Sequence, residues 1–250
     1  MAPPTGEVGP LRSPLPVPAG RQAVEPGRLR GCRLFAAVPA PILGEMAAAM
    51  RHRRFRRGEV VFHQGDPGDA LHVIDVGSAK VVLPSAEGEE AIIATLRVGD
   101  FFGELAILDG APRSTTITAL DALETFALPR DAFRDLLERD PSLRDALLAS
   151  LAAELRRLTS QVEELHFLDL PGRLATRLAR LAREAGESAA SGPVRLDWPY
   201  TQSDLAGMVG GTRQTVNRLL AELEDAGLVA VDRDTLLIPD LAALARRGER

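Results

Sequence analysis

The stretch that decides the fold is residues 99–115, GDFFGELAILDGAPRST. Gly103 permits a close approach of the backbone, and a short helix beginning there would point its free N–H groups at an anion. Arg113 and Ser114 add a charged donor and a hydroxyl donor, while Glu104 offers an acceptor. The spacing of these groups predicts an anion-binding loop with a separate acceptor carboxylate.

Short β-type runs separated by turns flank this loop. The runs cover residues 60–62, 71–74, 79–83, 91–96 and 115–118, and the turns are Gly65-Asp66, Gly77-Ser78, Glu87-Gly88 and Gly99-Asp100. Many short strands at close spacing are typical of a small barrel or jelly roll. A short helix is predicted over residues 41–50, and we expect ordered structure to begin near Leu34.

Helical periodicity replaces the strand pattern after the barrel. Apolar residues at intervals of 4, 4, 3, 4 and 3 are Leu147, Leu151, Leu155, Leu158, Val162 and Leu165. This spacing is close to a heptad seam and predicts a coiled coil between two copies of the chain. The alternative is a helix packed on its own barrel. The segment from Phe167 to Gly172 contains proline and glycine, which break a helix. We therefore expect a hinge at Phe167, Leu168 and Asp169.

The C-terminal region predicts two helices joined by a tight glycine turn. Thr201 and Asp204 nearly match a capping box, with aspartate in place of the usual glutamate. Gly210-Gly211 supplies the turn, and Thr212 is a good N-cap for the second helix, which Gly227 ends. A helix, a short turn and a second helix form the helix-turn-helix pattern.

The segments around this motif complete a small domain. A further helix is predicted over residues 173–185 and a strand over residues 194–198. Residues 228–238 are interpreted as two short strands joined around Asp232-Arg233-Asp234. These two strands would form the wing of a winged helix-turn-helix.

Composition excludes several classes of protein. The sequence has no run of eighteen apolar residues that would form a transmembrane helix, and its proline-rich start lacks the pattern of a secretory signal. The single cysteine, Cys32, excludes a disulfide framework and a cysteine metal site. No Walker loop, nucleophile elbow or metal-ligand cluster is present. We expect a cytoplasmic protein with no catalytic site and no metal.

The net charge of −5 still allows DNA binding through a local basic patch.

From about Leu34 to Leu241 the chain resembles the cyclic-AMP receptor protein branch of the CRP/FNR regulators. The resemblance rests on residues 99–115, on Leu158-Thr159-Ser160 and on residues 211–218, which follow the family's order and spacing. It implies an α+β fold with an N-terminal cyclic-nucleotide-binding β-roll, a long dimerisation helix and a C-terminal winged helix-turn-helix. The expected division is a disordered proline-rich tail (1–30), the nucleotide domain (31–140), the dimerisation helix (141–168) and the DNA-binding domain (169–250).

The resemblance implies a ligand site and an effector. Arg113 and Ser114 would bind the cyclic phosphate, and Glu104 would accept from the ribose 2′-hydroxyl group. Thr159 would read the adenine amino group, and Ser160 would reach the nucleotide of the other subunit. The complete expected ligand set is Gly103, Glu104, Leu105, Arg113, Ser114, Thr159 and Ser160. Cyclic AMP is therefore the expected effector, and no other cofactor is expected.

The resemblance also implies a recognition helix that contacts base edges, called the reading helix below. Arg213 and Arg218 suit guanine, because arginine pairs with both O6 and N7 of that base. Gln214 stands where the family often has glutamate, and it can read adenine, so the operator would differ at one base pair. The expected DNA contacts, of which the threonines and Gln202 would touch phosphates, are Thr201, Gln202, Thr212, Arg213, Gln214, Asn217 and Arg218. The implied partners are double-stranded DNA with a two-fold operator, a second copy of the chain and RNA polymerase, without a membrane.

Ligand binding is expected to move the long helix and reset the hinge. The two reading helices of a dimer would then enter major grooves about 34 Å apart. Another effector, such as cyclic GMP or a cyclic dinucleotide, or no effector, stays open. An iron–sulfur sensor would need about four cysteines, and the sequence has one. A haem sensor would need axial ligands, and the four histidines are scattered along the sequence. A nucleotide-binding regulatory subunit without DNA binding is the alternative from a different class.

Overall fold

The computed structural model describes residues 24–86, 88–184, 193–232 and 235–248. Most of the proline-rich tail lies outside this description. So do Glu87, from an expected turn, and Arg233 and Asp234, from the expected connection between the wing strands. Ala185, the expected last residue of a helix, does so as well. No helix within the described ranges is both long and apolar enough to cross a bilayer.

The N-terminal half is a β-roll of two antiparallel sheets. Among the described residues, the first sheet has the order β1 (Arg51–Phe55), β8 (Leu123–Pro129), β3 (Ala70–Val76) and β6 (Phe101–Phe102). The second has the order β2 (Val60–Phe62), β7 (Thr116–Ala119), β4 (Ala79–Pro84) and β5 (Glu90–Leu96). The five β-type runs of the sequence correspond to β2, β3, β4, β5 and β7. The β-type pattern missed β1, whose sequence is mostly basic, and it also missed β6 and β8.

Helices pack against the first sheet of the roll. Phe35 and Phe133 are fully buried there, Phe35 in a short 3-10 helix (Arg33–Phe35). The helices are α1 (Pro26–Leu29), α2 (Ala40–Ala49), the single-turn α3 (Leu105–Leu108) and α4 (Arg130–Arg139). Order begins earlier than the expected Leu34, because Leu29 is completely buried in the core of the roll. The segment expected to be a disordered tail thus contributes α1 to the fold.

The long helix α5 (Pro141–Phe167) packs on its own barrel along one part of its apolar seam and leaves another part exposed. It begins with proline in the first turn, and the Asp140 carboxylate accepts from the Ser142 N–H at 2.9 Å. Leu147 is buried against the roll, whereas Leu155 and Val162 are exposed. The first half therefore packs on its own domain, and the second half presents an apolar stripe to solvent.

The helix break is shorter than expected. Helix α5 ends at Phe167, and α6 (Leu170–Glu184) begins three residues before the predicted Arg173. Pro171 and Gly172 lie inside the first turn of α6, where proline costs no hydrogen bond. The Asp169 carboxylate accepts from the Gly172 N–H at 2.8 Å. The break is thus confined to Leu168 and Asp169.

The C-terminal half is a winged helix. Its helices are α6, α7 (Gln202–Val209), α8 (Arg213–Asp225) and α9 (Leu241–Gly248). Its antiparallel sheet has the order β10 (Ala230–Asp232), β11 (Thr235–Ile238) and β9 (Val194–Asp197). Trp198, Leu205, Val216 and Leu236 are buried in its core. Helix α9 was not expected from the sequence.

Candidate functional site

Arg113 is held in a cage of backbone and aromatic groups in the β-roll. Its side chain is almost fully buried, with the residue 3% exposed. Nη1 donates to the Gly103 carbonyl at 2.6 Å, and Nη2 donates to the Ala70 carbonyl at 2.8 Å. Nη2 also lies 3.2 Å from the Asp69 carboxylate, and the Phe62 ring centre lies 4.1 Å from Cζ. The guanidinium is therefore fixed before any ligand arrives.

This cage requires the glycine that the sequence singled out. Gly103 has a φ of +88°, and a Cβ on it would overlap Arg113 Nη1. Burial lowers the pKa of Arg113, and the nearby Asp69 carboxylate opposes this shift. The buried Nε of Arg113 has no hydrogen-bond partner among the described residues. A buried cation with a free donor suits a small anion, because an unpaired buried donor is costly.

Glu104 stands beside this arginine at the start of α3. Burial raises the pKa of the Glu104 carboxyl, the charge of Glu154 on α5 raises it further, and Arg113 lowers it. A half-buried carboxylate at this position suits a hydroxyl donor, as the sequence predicted for a ribose.

The other expected ligand residues stand at exposed positions. Thr159 and Ser160 lie on exposed turns of α5, and the Thr159 hydroxyl donates to the Leu155 carbonyl at 3.0 Å. Ser114 and Leu105 are exposed as well. The structure therefore brings Gly103 and Arg113 into contact, and it leaves the donors of Ser114 and Ser160 at the surface.

The helix-turn-helix has the caps that its sequence predicted. The Thr201 hydroxyl accepts from the Asp204 N–H at 3.1 Å, and the Asp204 carboxylate accepts from the Thr201 N–H at 2.8 Å. Gly210 ends α7 in the left-handed region with a φ of +68°. The Thr212 hydroxyl accepts from the Thr215 N–H at 3.2 Å and caps α8. These contacts fix the direction in which α8 leaves the turn.

Most residues of the expected DNA surface are exposed. Those exposed are Thr201, Gln202, Thr212, Arg213, Gln214 and Arg218. Arg218 Nη1 lies 2.5 Å from the Glu222 carboxylate one turn later in α8. Asn217 is half-buried, and its Oδ1 is buried without a hydrogen-bond partner among the described residues. Asn217 thus directs its amide oxygen away from the exposed face.

The sequence reasoning missed the groups that hold Arg113. Asp69, Ala70 and Phe62 lie 29 or more residues before the loop, in a connecting segment and in strands without a motif of their own. Phe62 belonged to an expected strand, but nothing in its spacing indicated an arginine on its ring. Only the pairing of β2, β3 and β6 within the two sheets brings these groups to the loop.

A second charged cluster lies on the first sheet. The possible ligand atoms of His52, Asp75 and Glu124 all lie within 4.8 Å of one another. Arg28 contacts the Asp75 carboxylate, and Arg54 Nε lies 3.2 Å from Glu124 Oε1. His52 Nε2 lies 2.7 Å from Glu124 Oε2, outside hydrogen-bond geometry. Because both carboxylates pair with arginines, the cluster is an ion-pair network.

A β-roll with a caged arginine, joined by one long helix to a winged helix, is the architecture of a ligand-responsive DNA-binding regulator. Comparison with known families agrees with it. Residues 52–140 match the cyclic nucleotide-binding domain, and residues 172–247 match the Crp-like helix-turn-helix domain. The chain belongs to the CRP/FNR family of transcription regulators.

Similar proteins match most of the chain. The CRP-like cAMP-activated global transcriptional regulator of Mycobacterium tuberculosis is 33% identical over 86% of this chain and 96% of its own length. The cAMP-activated global transcriptional regulator CRP of Escherichia coli is 33% identical over 71% of this chain and 84% of its own length.

Solved structures show the same fold. A CRP/FNR-family transcriptional regulator of Thermus thermophilus matches with a TM-score of 0.64 and 27% identity, over 80% of this chain and 99% of its own. The regulator CLP of Xanthomonas campestris matches with a TM-score of 0.70 and 23% identity, over 80% of this chain and 99% of its own. The chain is thus a DNA-binding transcription regulator with a cyclic nucleotide-binding domain.

Proposed function

We propose that cyclic AMP is the effector of this regulator and that Arg113 is the residue that binds its phosphate. The observation that carries the proposal is the caged guanidinium, which is buried, fixed and left with an unpartnered Nε. Such a group suits a ligand with a single phosphate charge, because one buried cation neutralises one anion. The proposed ligand set keeps Gly103, Glu104, Leu105 and Ser114 around it.

The choice of the adenine nucleotide rests on α5 and on the relatives. Thr159 and Ser160 are exposed on α5, between Arg157 and Gln161, whose side chains donate to the Ile93 carbonyl of the roll. The relatives from Mycobacterium tuberculosis and Escherichia coli are both named as cAMP-activated regulators. A base read by a threonine hydroxyl and a ribose read by Glu104 together favour cyclic AMP.

The proposed DNA contact is made by α8 in the major groove. Arg213, Gln214 and Arg218 would contact base edges there, and the exposed residues Thr201 and Thr212 would contact phosphates. Gln202 would join the phosphate contacts, and Asn217 would support the helix from its half-buried position. Two copies that meet along the exposed stripe of α5 would read a two-fold operator.

The remaining parts of the proposal follow from this role. The protein would act in the cytoplasm and would contact RNA polymerase at its promoters. It would carry out no chemical step. The proposed boundaries keep the dimerisation helix at 141–168 and the DNA-binding domain at 169–250. They extend the nucleotide domain from the expected 31–140 to 26–140, because Leu29 of α1 is buried in the core of the roll. Leu168 and Asp169, with Phe167 at the end of α5, would form the hinge.

The test is a fluorescence anisotropy titration of an operator selected with the purified protein. It is run at fixed salt concentration, because binding to DNA phosphates depends strongly on salt. Cyclic AMP is expected to tighten operator binding more than cyclic GMP or cyclic di-GMP does. Equal tightening by another nucleotide would reassign the effector. No specific binding to any selected sequence would contradict the DNA-binding role.

A further inference from the structure

The β4–β5 hairpin contacts the long helix next to the proposed base-reading residues. Arg157 Nη1 and Gln161 Nε2 on α5 both donate to the Ile93 carbonyl on β5, at 2.8 Å and 2.9 Å. These donors lie on either side of Thr159 and Ser160 in the sequence. A displacement of this part of α5 therefore acts directly on β5.

The same hairpin holds the first helix of the helix-turn-helix through a buried ion pair. Lys80 Nζ on β4 lies 2.8 Å from the Asp204 carboxylate on α7 and 2.6 Å from the Glu90 carboxylate on β5. The side chains of Lys80 and Asp204 are only 13% and 10% exposed. Removing one partner of such a pair leaves an uncompensated buried charge. Lys80 is also the single lysine of the sequence.

The backbone of α7 lies directly on β5. A Cβ on Gly207 would lie 2.5 Å from the Glu90 carbonyl oxygen and 3.4 Å from Ile92 Cγ1. Glycine inside a helix is unfavourable for the helix itself. Its presence at position 207 is explained by this close approach. Gly44 in α2 offers a contrast, because a Cβ there would meet no atom within 4 Å.

We propose that this α7–β5 docking surface, formed by Lys80, Glu90, Asp204 and Gly207, transmits the nucleotide signal to the helix-turn-helix. It rests on the proposed function, since the signal begins at the nucleotide. The path runs from α5 to the Ile93 carbonyl, along β5, and across the docking surface to α7. Helix α7 is joined to α8 by the capped turn, so its orientation sets the orientation of the reading helix.

The first test is the substitution Gly207→Ala, with Gly44→Ala as the matched control. The added methyl group favours the helix in both variants, but at position 207 it also pushes α7 away from β5. The measured quantity is the ratio of operator Kd values without and with cyclic AMP. The docking favours either the nucleotide-free or the nucleotide-bound conformation. In both cases, losing the contact reduces the difference in operator affinity between the two conformations. We expect Gly207→Ala to lower the ratio at least about fivefold and Gly44→Ala to leave it unchanged.

The second test removes the ion pair and leaves the backbone unchanged. Lys80→Gln is compared with Arg139→Gln, whose exposed pair with Glu45 at 2.8 Å lies within the N-terminal half. Lys80→Gln is expected to lower the same ratio, and Arg139→Gln to preserve it. Thermal unfolding of each variant shows that it is folded. A folded Gly207→Ala protein with the wild-type ratio overturns the proposal.

A distance measurement separates the docking from the effector. Spin labels on Arg134→Cys in α4 and Ala221→Cys in α8, both exposed positions, report the separation of the two halves. The native Cys32 is buried, and burial raises the pKa of its thiol to about 11, so it resists labelling. Gly207→Ala is expected to shift or broaden this distance in protein without nucleotide. If no nucleotide affects the wild-type protein, the proposed effector fails, and an unchanged distance in Gly207→Ala then overturns the docking independently.

Discussion

The molecule uses arginine in two different ways in its two halves. Arg113 in the β-roll is 3% exposed and is held by two backbone carbonyls, a carboxylate and an aromatic ring. The Arg218 side chain in α8 is 65% exposed and has a single described partner, Glu222 on its own helix. The first is fixed before its ligand binds, and the second retains much of its rotamer freedom.

This difference indicates where precision comes from in each half. A small phosphate makes few contacts, so its site gains affinity by being preorganised. A DNA operator makes many contacts, and its reading side chains can adjust once α8 is correctly placed. The placement depends on the caps at Thr201 and Thr212, on the dimer and on the contact of α7 with β5. Substitutions in the β-roll should therefore impair nucleotide binding, and substitutions in the winged helix should impair operator binding.

The largest effect is expected from Arg113→Leu. Losing a buried, charge-assisted contact costs about 2–5 kcal/mol, so cyclic AMP affinity should fall at least about 30-fold. Basal, nucleotide-independent operator binding should persist. Calorimetry measures the first quantity and anisotropy the second. Arg113→Lys, which keeps the charge but loses the planar fork, should lie between the two proteins. Retained high affinity in a folded Arg113→Leu protein would show that the phosphate binds elsewhere.

The next largest effect is expected at the exposed stripe of α5. Val162 is 61% exposed in the single chain and should be covered by the second copy. Val162→Glu places a charge in that interface and removes about 1.5–3 kcal/mol of apolar burial per chain. Sedimentation should show monomers at concentrations where the wild-type protein is dimeric. Val98→Glu, at a residue 64% exposed on the roll, is the matched control and should stay dimeric. An unaffected dimer in Val162→Glu would place the interface elsewhere.

A pH effect should distinguish the β-roll from the winged helix. Burial, with help from the charge of Arg113, lowers the pKa of His72 to about 3. Between about pH 6.5, the usual histidine pKa, and pH 3, the unfolded chain binds a proton that the folded chain does not. The free energy of unfolding should therefore fall with decreasing pH in this window, by up to about 1.4 kcal/mol per unit.

His72→Phe should remove this contribution from denaturant unfolding measured between pH 6.5 and pH 4.5. His166→Gln, at an exposed position on α5, is the control. The winged helix residues 193–248 contain no histidine, so its own unfolding should lack this dependence. The same slope in His72→Phe as in the wild type would mean that His72 is protonated in the folded roll.

The smallest of these effects is expected at the reading helix. Arg213→Ala should weaken operator binding by about 1–3 kcal/mol, roughly 5- to 150-fold, if it pairs with guanine. Binding to unrelated DNA should change much less. Arg246→Ala removes the same charge from an exposed position in α9 and controls for net charge. Equal losses on operator and unrelated DNA would make Arg213 a phosphate contact instead.

Local patterns in the sequence predicted the parts of the fold that depend on neighbouring residues. The capping box of Thr201 and Asp204, the turn at Gly210 and the cap at Thr212 are all present. The predicted need for glycine at position 103 is also met, because a Cβ there would overlap Arg113 of the same loop. In each case the interacting residues lie within about ten positions of each other, where spacing constrains geometry.

Contacts between distant segments were not predictable in this way. Strand β1 carries arginines and a histidine, so it lacks the apolar alternation that identifies a strand, and it exists because it pairs with β8. The contact of Asp69 with Arg113 depends on sheet pairing. The ion pair of Lys80 with Asp204 depends on how the two halves meet. Pro171 and Gly172 looked like a break, yet their position in the first turn of α6 makes them compatible with a helix.

The most direct test of the account is a calorimetric titration of nucleotide-free protein with cyclic AMP, with cyclic GMP as the comparison and Arg113→Leu measured alongside. The account predicts saturable binding of cyclic AMP to each subunit, clearly tighter than cyclic GMP, and its loss in Arg113→Leu. Absence of binding heat at several temperatures, or equal binding by Arg113→Leu, would contradict the assignment of the caged arginine as the phosphate site.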